Sequence, residues 1–330
     1  MNVLVTGGGG FLGSAICRQL MARGHTVTAF QRSACPELES SGAQVIQGDI
    51  EDARVLNSAA KGVDAVIHTA AKAGLSVRYN DFFRPNVIGT ENVIAAMQRH
   101  RVSKLIFTST PSVVHRRGDL AGVDESEPYP EHFDAAYPQT KAMAEMAVLA
   151  ANDDTLSTVA LRPRLIWGPD DTNLVPQLVE RAKSGRLRFV GGGENLVDTT
   201  YIDNAADAHL LAADRLAPGS ACAGRPYFIS NGEPWPLKRI INGILGAAGL
   251  PPEERSVPLG LAVAAGAVFE TVERFVPFKN GPPMTRFIAR NFAAAHWFDI
   301  SAARRDLGYE PKISLDAGLE RLHRWFADRE

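Results

Sequence analysis

Through the first half of the chain, short apolar runs alternate with longer stretches of helical period. Residues 1–6 are apolar and rich in β-branched side chains, without Gly or Pro, and read as a buried strand. Residues 26–30, 44–47, 64–68, 104–108 and 158–161 repeat the pattern. Between them, 14–23, 85–99 and 137–151 read as helices, with Pro85 suited to a helix start. This alternation predicts an α/β fold, a Rossmann-type doubly wound parallel sheet with helices on both faces. After Arg162-Pro163 the segments shorten and Pro/Gly punctuation thickens, as at 191–193 and Pro251-Pro252. A chain of 330 residues is long for one core, so two lobes are expected.

The first strand runs into Gly7-Gly8-Gly9-Gly10-Phe11-Leu12-Gly13, and a helix follows. A diphosphate can lie against a backbone only where no Cβ intervenes. The N–H groups opening the helix then face it, and the helix dipole favours its charge. The strand–glycine–helix context makes a nucleotide loop the stronger reading over a flexible linker. The prediction is therefore a nucleotide-binding domain over 1–165, rejoined by about 196–225 with a helix over 205–215. A smaller C-terminal substrate-binding lobe takes 166–195 and 226–330.

Ligands of such sheets sit beyond the carboxyl ends of the strands. NAD enzymes usually carry an acid at the end of the second strand, bonded to the ribose 2′-OH. Here Phe30-Gln31-Arg32 stands at that end. The missing acid and the guanidinium fork of Arg32 lean to NADP(H). A solvated surface arginine is the plain alternative. Asp49-Ile50 ends the third strand where an adenine edge would lie, and Asp49 also suits a turn or N-cap. His68-Thr69-Ala70-Ala71 ends the fourth strand.

Tyr137 and Lys141 are spaced i, i+4, so they share a helix face. A neighbouring ammonium would lower the phenol pKa from its ordinary value near 10. Thr110 and Ser112, after the fifth strand, offer hydroxyls; period-two alternation would put both on one strand face. The loop over 111–136 has the length of a functional loop.

Thr6 to Gly13 resembles the T-G-x-x-G-x-x-G signature of extended short-chain dehydrogenases/reductases. Asn86-Val87-Ile88-Gly89-Thr90, Leu161-Arg162-Pro163 and Tyr201-Ile202-Asp203-Asn204 match the same pattern. His296-Trp297-Phe298-Asp299-Ile300, Leu307-Gly308-Tyr309, Ser112-Val113-Val114 and Asp124-Glu125-Ser126 with Tyr129-Pro130 resemble the 3β-hydroxysteroid dehydrogenase branch. The resemblance covers nearly the whole chain. It implies an NADP-dependent oxidoreductase in which Tyr137 is the proton donor, Lys141 holds the nicotinamide ribose, and Thr110 takes the place usually held by Ser, with Ser112 in reserve. The implied cofactor set is Gly7, Gly10, Phe11, Leu12, Gly13, Arg32, Asp49, Ile50, Ala70, Ala71, Tyr137, Lys141 and Pro163, with no metal. Within the branch the likeness points to reduction of the ketone of long-chain 2-alkyl-3-oxoalkanoic acids in bacterial olefin biosynthesis. A 3β-hydroxysteroid or sterol dehydrogenase is the runner-up. A non-enzymatic NADP-binding sensor or scaffold is the alternative of another class, disfavoured by the intact Tyr/Lys pair.

Composition adds exclusions. Net charge is −2 and pI near 6.5, which gives no electrostatic case for nucleic acid. Cys17, Cys35 and Cys222 match no metal or disulfide spacing and read as filler in a reducing cytoplasm; the strand at Asn2 leaves no room for a signal peptide. Residues 259–269 are apolar or Gly, but Glu270 and Glu273 follow. The run is too short to span a membrane, which needs about 20 apolar residues; membrane-surface contact stays open. That run and 287–297 are possible walls for a hydrophobic substrate, with core or dimer packing as the alternative. The family habit implies a homodimer, and association with other enzymes of the same pathway is a further expectation. An acid substrate would need a cation for its carboxylate, and Arg116, Arg117, Arg164 and Arg290 are the candidates.

Overall fold

A computed structural model describes residues 1–74, 78–276, 278 and 281–329. Strands β1 (Asn2–Thr6), β2 (Thr26–Gln31), β3 (Gln44–Gln47), β4 (Ala65–His68) and β5 (Lys104–Thr108) open the chain. β6 (Leu120–Val123) stands apart, and β7 (Ser157–Pro163) returns. The main sheet is parallel, in the order Arg225–Ile229, β7, β5, β4, β1, β2, β3. The order reverses between β1 and β4. Connections there leave in opposite directions, so a crevice opens beyond the strand ends.

Side-chain alternation explains the two covered faces. Val3, Val5, Ile67, Ile106, Val159 and Leu161 belong to one core, with α1 (Phe11–Ala22) and the helix Ile202–Arg215. Leu4, Val66, Leu105, Phe107 and Ala160 belong to the other. Successive residues of one strand point to opposite faces, so a strand buried on both sides must be apolar throughout. Each such side chain contributes about 1.5–3 kcal/mol on burial.

The remaining helices of the first half are α2 (Pro36–Ser40), α3 (Ala53–Ala59), α4 (Tyr79–Phe83), α5 (Gly89–His100) and α6 (Ala136–Ala150). The helix expected over 85–99 is thus compound, a π-helical turn Arg84–Ile88 followed by α5, and α4 runs directly into it. The helix expected over 205–215 starts at Ile202, and the return to the sheet runs through Ile229, past the expected end near 225. The loop expected over 111–136 is not structureless. It holds a 3-10 turn, Pro111–Val114, and β6, which pairs in parallel with His296–Phe298. That strand also joins Leu196–Val197 and Trp235–Pro236 in a small sheet. The loop after β5 is thereby fastened to strands from the second half of the chain.

The apolar run at 259–269 forms the helix Leu259–Phe275, packed on Arg286–Ala293. Its outer face leaves Leu261, Val268 and Phe275 exposed. Among the described residues no helix is long and apolar enough to cross a membrane, and no cluster of His, Cys, Asp or Glu suits a metal ion.

Candidate active site

The glycine loop is shaped by close approach. Gly7 has φ +71°, and a Cβ there would lie 2.9 Å from the Ala70 backbone. A Cβ on Gly13 would lie 2.1 Å from the Gly7 carbonyl oxygen. Gly10 caps α1 in an extended conformation, so the first N–H groups of the helix face outward past a bare backbone. His68 supports the loop from below: its ring meets the Thr6 hydroxyl at 2.7 Å and the Thr90 hydroxyl at 3.0 Å. Burial pushes His68 down to about 3, so it stays neutral.

A cleft of about 740 Å³ opens over this loop. Gly7, Gly10, Phe11, Leu12, Gly13, Arg32, Asp49, Ile50, Ala70 and Ala71 all line it. The bare glycine backbone at one end and the strand ends at the other fit a dinucleotide. Arg32 is exposed at the rim and makes no hydrogen bond or ion pair among the described residues. Asp49 also accepts from the Glu51 amide at 2.9 Å, so it is a turn residue as well as a lining one. Cys35 lines the cleft rather than filling space, and so do Lys72 and Arg84, which sequence reasoning passed over.

Pro163, Thr110, Tyr137 and Lys141 do not line this cleft; they stand at the end of β7, after β5 and on the first turns of α6. The strand geometry expected for Ser112 is corrected. β5 ends at Thr108, and Thr110 instead caps the 3-10 turn, accepting from the Ser112 amide at 3.2 Å. The two hydroxyls are still neighbours, at 3.3 Å, because the turn folds back. Burial raises the Tyr137 phenol, while contact with the Thr110 hydroxyl and the charge of Arg164 lower it.

Lys141, expected beside the phenol, makes its contacts with β5 in this structure. Its Nζ donates to the Thr108 carbonyl at 2.6 Å and sits 4.0 Å from the Phe107 ring centroid. Burial depresses Lys141 to about 7, against the opposing charge of Glu145 one turn on. The charge of Arg164 also reaches the Tyr137 phenol and lowers it.

Two supports were missed. Asn86 accepts from the Lys72 amide at 2.7 Å and donates to the Lys72 carbonyl and the Thr140 hydroxyl, each at 3.1 Å. It ties the end of the β4 loop to α6. Glu145 takes a buried fork from Arg162, with Nη2–Oε1 at 2.6 Å, and the Tyr129 hydroxyl at 2.6 Å. The i, i+4 spacing of Lys141 and Glu145 was a readable signal for that second support.

The four carboxylate-binding candidates separate cleanly. Arg116 pairs with Glu127, and Arg117 and Arg290 pair with Asp134, all partly open to solvent. Arg164 alone of the four is buried.

Residues 4–259 match the 3-beta hydroxysteroid dehydrogenase/isomerase family. The chain is 53% identical to a 2-alkyl-3-oxoalkanoate reductase of Stenotrophomonas maltophilia over 98% of each chain. It is 34% identical to the human sterol-4-alpha-carboxylate 3-dehydrogenase, decarboxylating, over 96% of this chain and 86% of that protein. In fold it resembles a UDP-glucose 4-epimerase of Thermotoga maritima, with TM-score 0.78 at 23% identity over 100% and 99% of the two chains. It also resembles MoeE5, solved with UDP-glucose and NAD, with TM-score 0.76 at 24% identity over 100% and 99%. The chain belongs to the 3-beta hydroxysteroid dehydrogenase/isomerase family and is a nicotinamide-dependent oxidoreductase of the extended short-chain type.

Proposed function

We propose that the protein reduces the ketone of a long-chain 2-alkyl-3-oxoalkanoic acid to the 3-hydroxy acid, reversibly, with NADPH. One observation carries the reading: Thr110, Tyr137 and Lys141 follow β5 and open α6, past a glycine cradle, in a chain so similar to a reductase of such acids. Both relatives' names describe an oxygen on the carbon β to a carboxylate, which supports an acid substrate of that pattern. Gln31 and Arg32 at the end of β2 support NADPH over NADH. In this reading residues 1–165 and about 196–229 hold the nucleotide, and the remainder holds the substrate. The protein acts in the cytoplasm, as a homodimer, in olefin biosynthesis.

The nicotinamide, when bound, supplies the hydride. The chain does the rest. Gly7, Gly10 and Gly13 leave the backbone bare for a diphosphate, and the first turn of α1 offers its N–H groups. Thr110 and Tyr137 hydrogen-bond the substrate carbonyl oxygen. As that oxygen gains charge, the Tyr137 phenol donates its proton and stabilises the alkoxide. Lys141, depressed to near neutrality, stands one turn from Tyr137 and would hold the ribose. Asn86 and Glu145 fix the helix that carries both.

The test is oxidation of a 2-alkyl-3-hydroxy acid with NADP+, set beside a 3β-hydroxysteroid. Faster turnover of the acid supports the proposal. Efficient steroid oxidation with no turnover of the acid promotes the runner-up.

A further inference from the structure

Arg162 and Arg164 are both buried, two residues apart at the end of β7. Arg162 has a carboxylate from within the chain: Glu145 takes its Nε and Nη2. Arg164 has none within 4.0 Å among the described residues. Its Nη2 donates to Asn291 Oδ1 at 3.0 Å and lies 3.5 Å from His296 Nδ1, and its Nε has no partner. A buried guanidinium without a close anion is costly, so it calls for a partner from outside the chain.

The surroundings are donors with nothing to donate to. His115, in the same turn as Thr110, has no partner on either ring nitrogen. Its ring lies 5.2 Å from that of His296. His296 Nδ1 faces Arg164 Nη2, its Nε2 makes no full hydrogen bond, and the ring also feels the Asn291 backbone. Arg164, His115, His296 and Asn291 are each at most 8% exposed. Burial beside Arg164 holds both imidazoles neutral, His115 at about 4 and His296 at about 2, and Arg164 itself falls to about 10. The charge of Asp198 acts on Arg164 without a salt bridge; Asp198 accepts from the Phe298 amide and is pushed up to about 6 by burial. Leu165, next in the chain, has φ +39°, a conformation unfavourable to leucine. Arg164 follows β7 and Thr110 follows β5, neighbouring strands of the sheet, while Asn291 and His296 come from the C-terminal lobe.

We propose that Arg164, with His115, His296 and Asn291, forms a buried anion site between the lobes that takes the substrate carboxylate and so selects acids over neutral alcohols and ketones. The site rests on the reading of the substrate as a 3-oxo or 3-hydroxy acid. It deepens that reading, because the charge of Arg164 reaches the Tyr137 phenol and a carboxylate seated at Arg164 would therefore lie near the reacting oxygen. The carboxylate supplies the missing charge and accepts from Arg164 Nε and the free imidazole N–H groups.

The test compares a 2-alkyl-3-hydroxy acid with its methyl ester, both oxidised with NADP+, in the wild type, Arg164→Gln and Arg164→Lys. The ratio of kcat/KM for acid to ester cancels any effect of Arg164 on the phenol, which both substrates share. The wild type is expected to prefer the acid. Arg164→Gln is expected to reduce the ratio on the order of 10²-fold, the scale of losing one partner of a buried charge pair. Arg164→Lys, which keeps the charge, is expected to retain part of the preference. In the wild type, a saturated long-chain carboxylate should inhibit competitively and its methyl ester should not. A wild type that treats acid and ester alike, or an Arg164→Gln ratio equal to wild type, overturns the anion site and leaves ketone reduction standing. Turnover of neither substrate overturns the functional reading itself.

Discussion

Tyr137 carries the sharpest prediction at the scale of single residues. Tyr137→Phe keeps the ring against Phe82 and removes only the proton. Turnover should fall by roughly 10²–10⁴, the worth of a general acid, with NADPH binding retained in a fluorescence titration. Near-native kcat would remove Tyr137 from the mechanism. Arg32 is free at the cleft rim, so Arg32→Ala should weaken NADPH by about 1.5–3 kcal/mol, the scale of a hydrogen bond to a charged group, and leave NADH nearly unchanged. Equal effects on the two cofactors would contradict a contact with the 2′-phosphate. Much at this scale was readable, because glycine spacing and the i, i+4 pair are local. Arg164 was readable only as one of four similar arginines. What distinguishes it is burial, and burial at Arg164 comes from Asn291 and His296, more than a hundred residues away.

Elements show the same division. The parallel strands were legible because both faces are buried and the runs are therefore continuously apolar. β6 was not, since Leu120–Val123 is short, contains Gly122, and takes its partner from His296–Phe298. Period-two alternation misread Ser112, because Pro111 ends extension and starts a 3-10 turn. On α6, Glu145 fixes Arg162 and raises Lys141 through its charge. Glu145→Gln should destabilise the fold by about 3–5 kcal/mol in denaturant melts, since it leaves a buried guanidinium unpaired. The same change should move the Lys141 pKa further down. A neutral effect on stability would show that Arg162 finds another partner.

Across the whole molecule, four buried histidines stay neutral: His68 at about 3, His115 and His209 at about 4, and His296 at about 2. In the unfolded chain each binds a proton near 6.5. Their folded values are depressed, so the stability they contribute is complete above about pH 6.5 and is lost as pH falls towards those values. Each should cost about 1.4 kcal/mol at one unit below 6.5. Three carboxyls raised by burial, Asp198 to about 6 and also Glu125 and Asp171, work the other way and offset part of this loss. Tm should therefore fall between about pH 7 and pH 5. A flat Tm would mean the histidines are hydrated or paired in the fold. Length and texture led to the expectation of two lobes. The small sheet was not legible, because it joins strands from four distant segments.

The central claim is that this chain handles a flexible, long-chain acid at an oxygen β to the carboxylate. The most direct measurement is kcat/KM for NADP+-dependent oxidation of 2-alkyl-3-hydroxy acids across a series of alkyl lengths, with a 3β-hydroxysteroid under the same conditions. Each buried CH₂ contributes about 0.8 kcal/mol, so efficiency should climb by up to about fourfold per carbon until the pocket is full, and the steroid should be slower. A response flat with chain length, together with efficient steroid oxidation, would contradict the account.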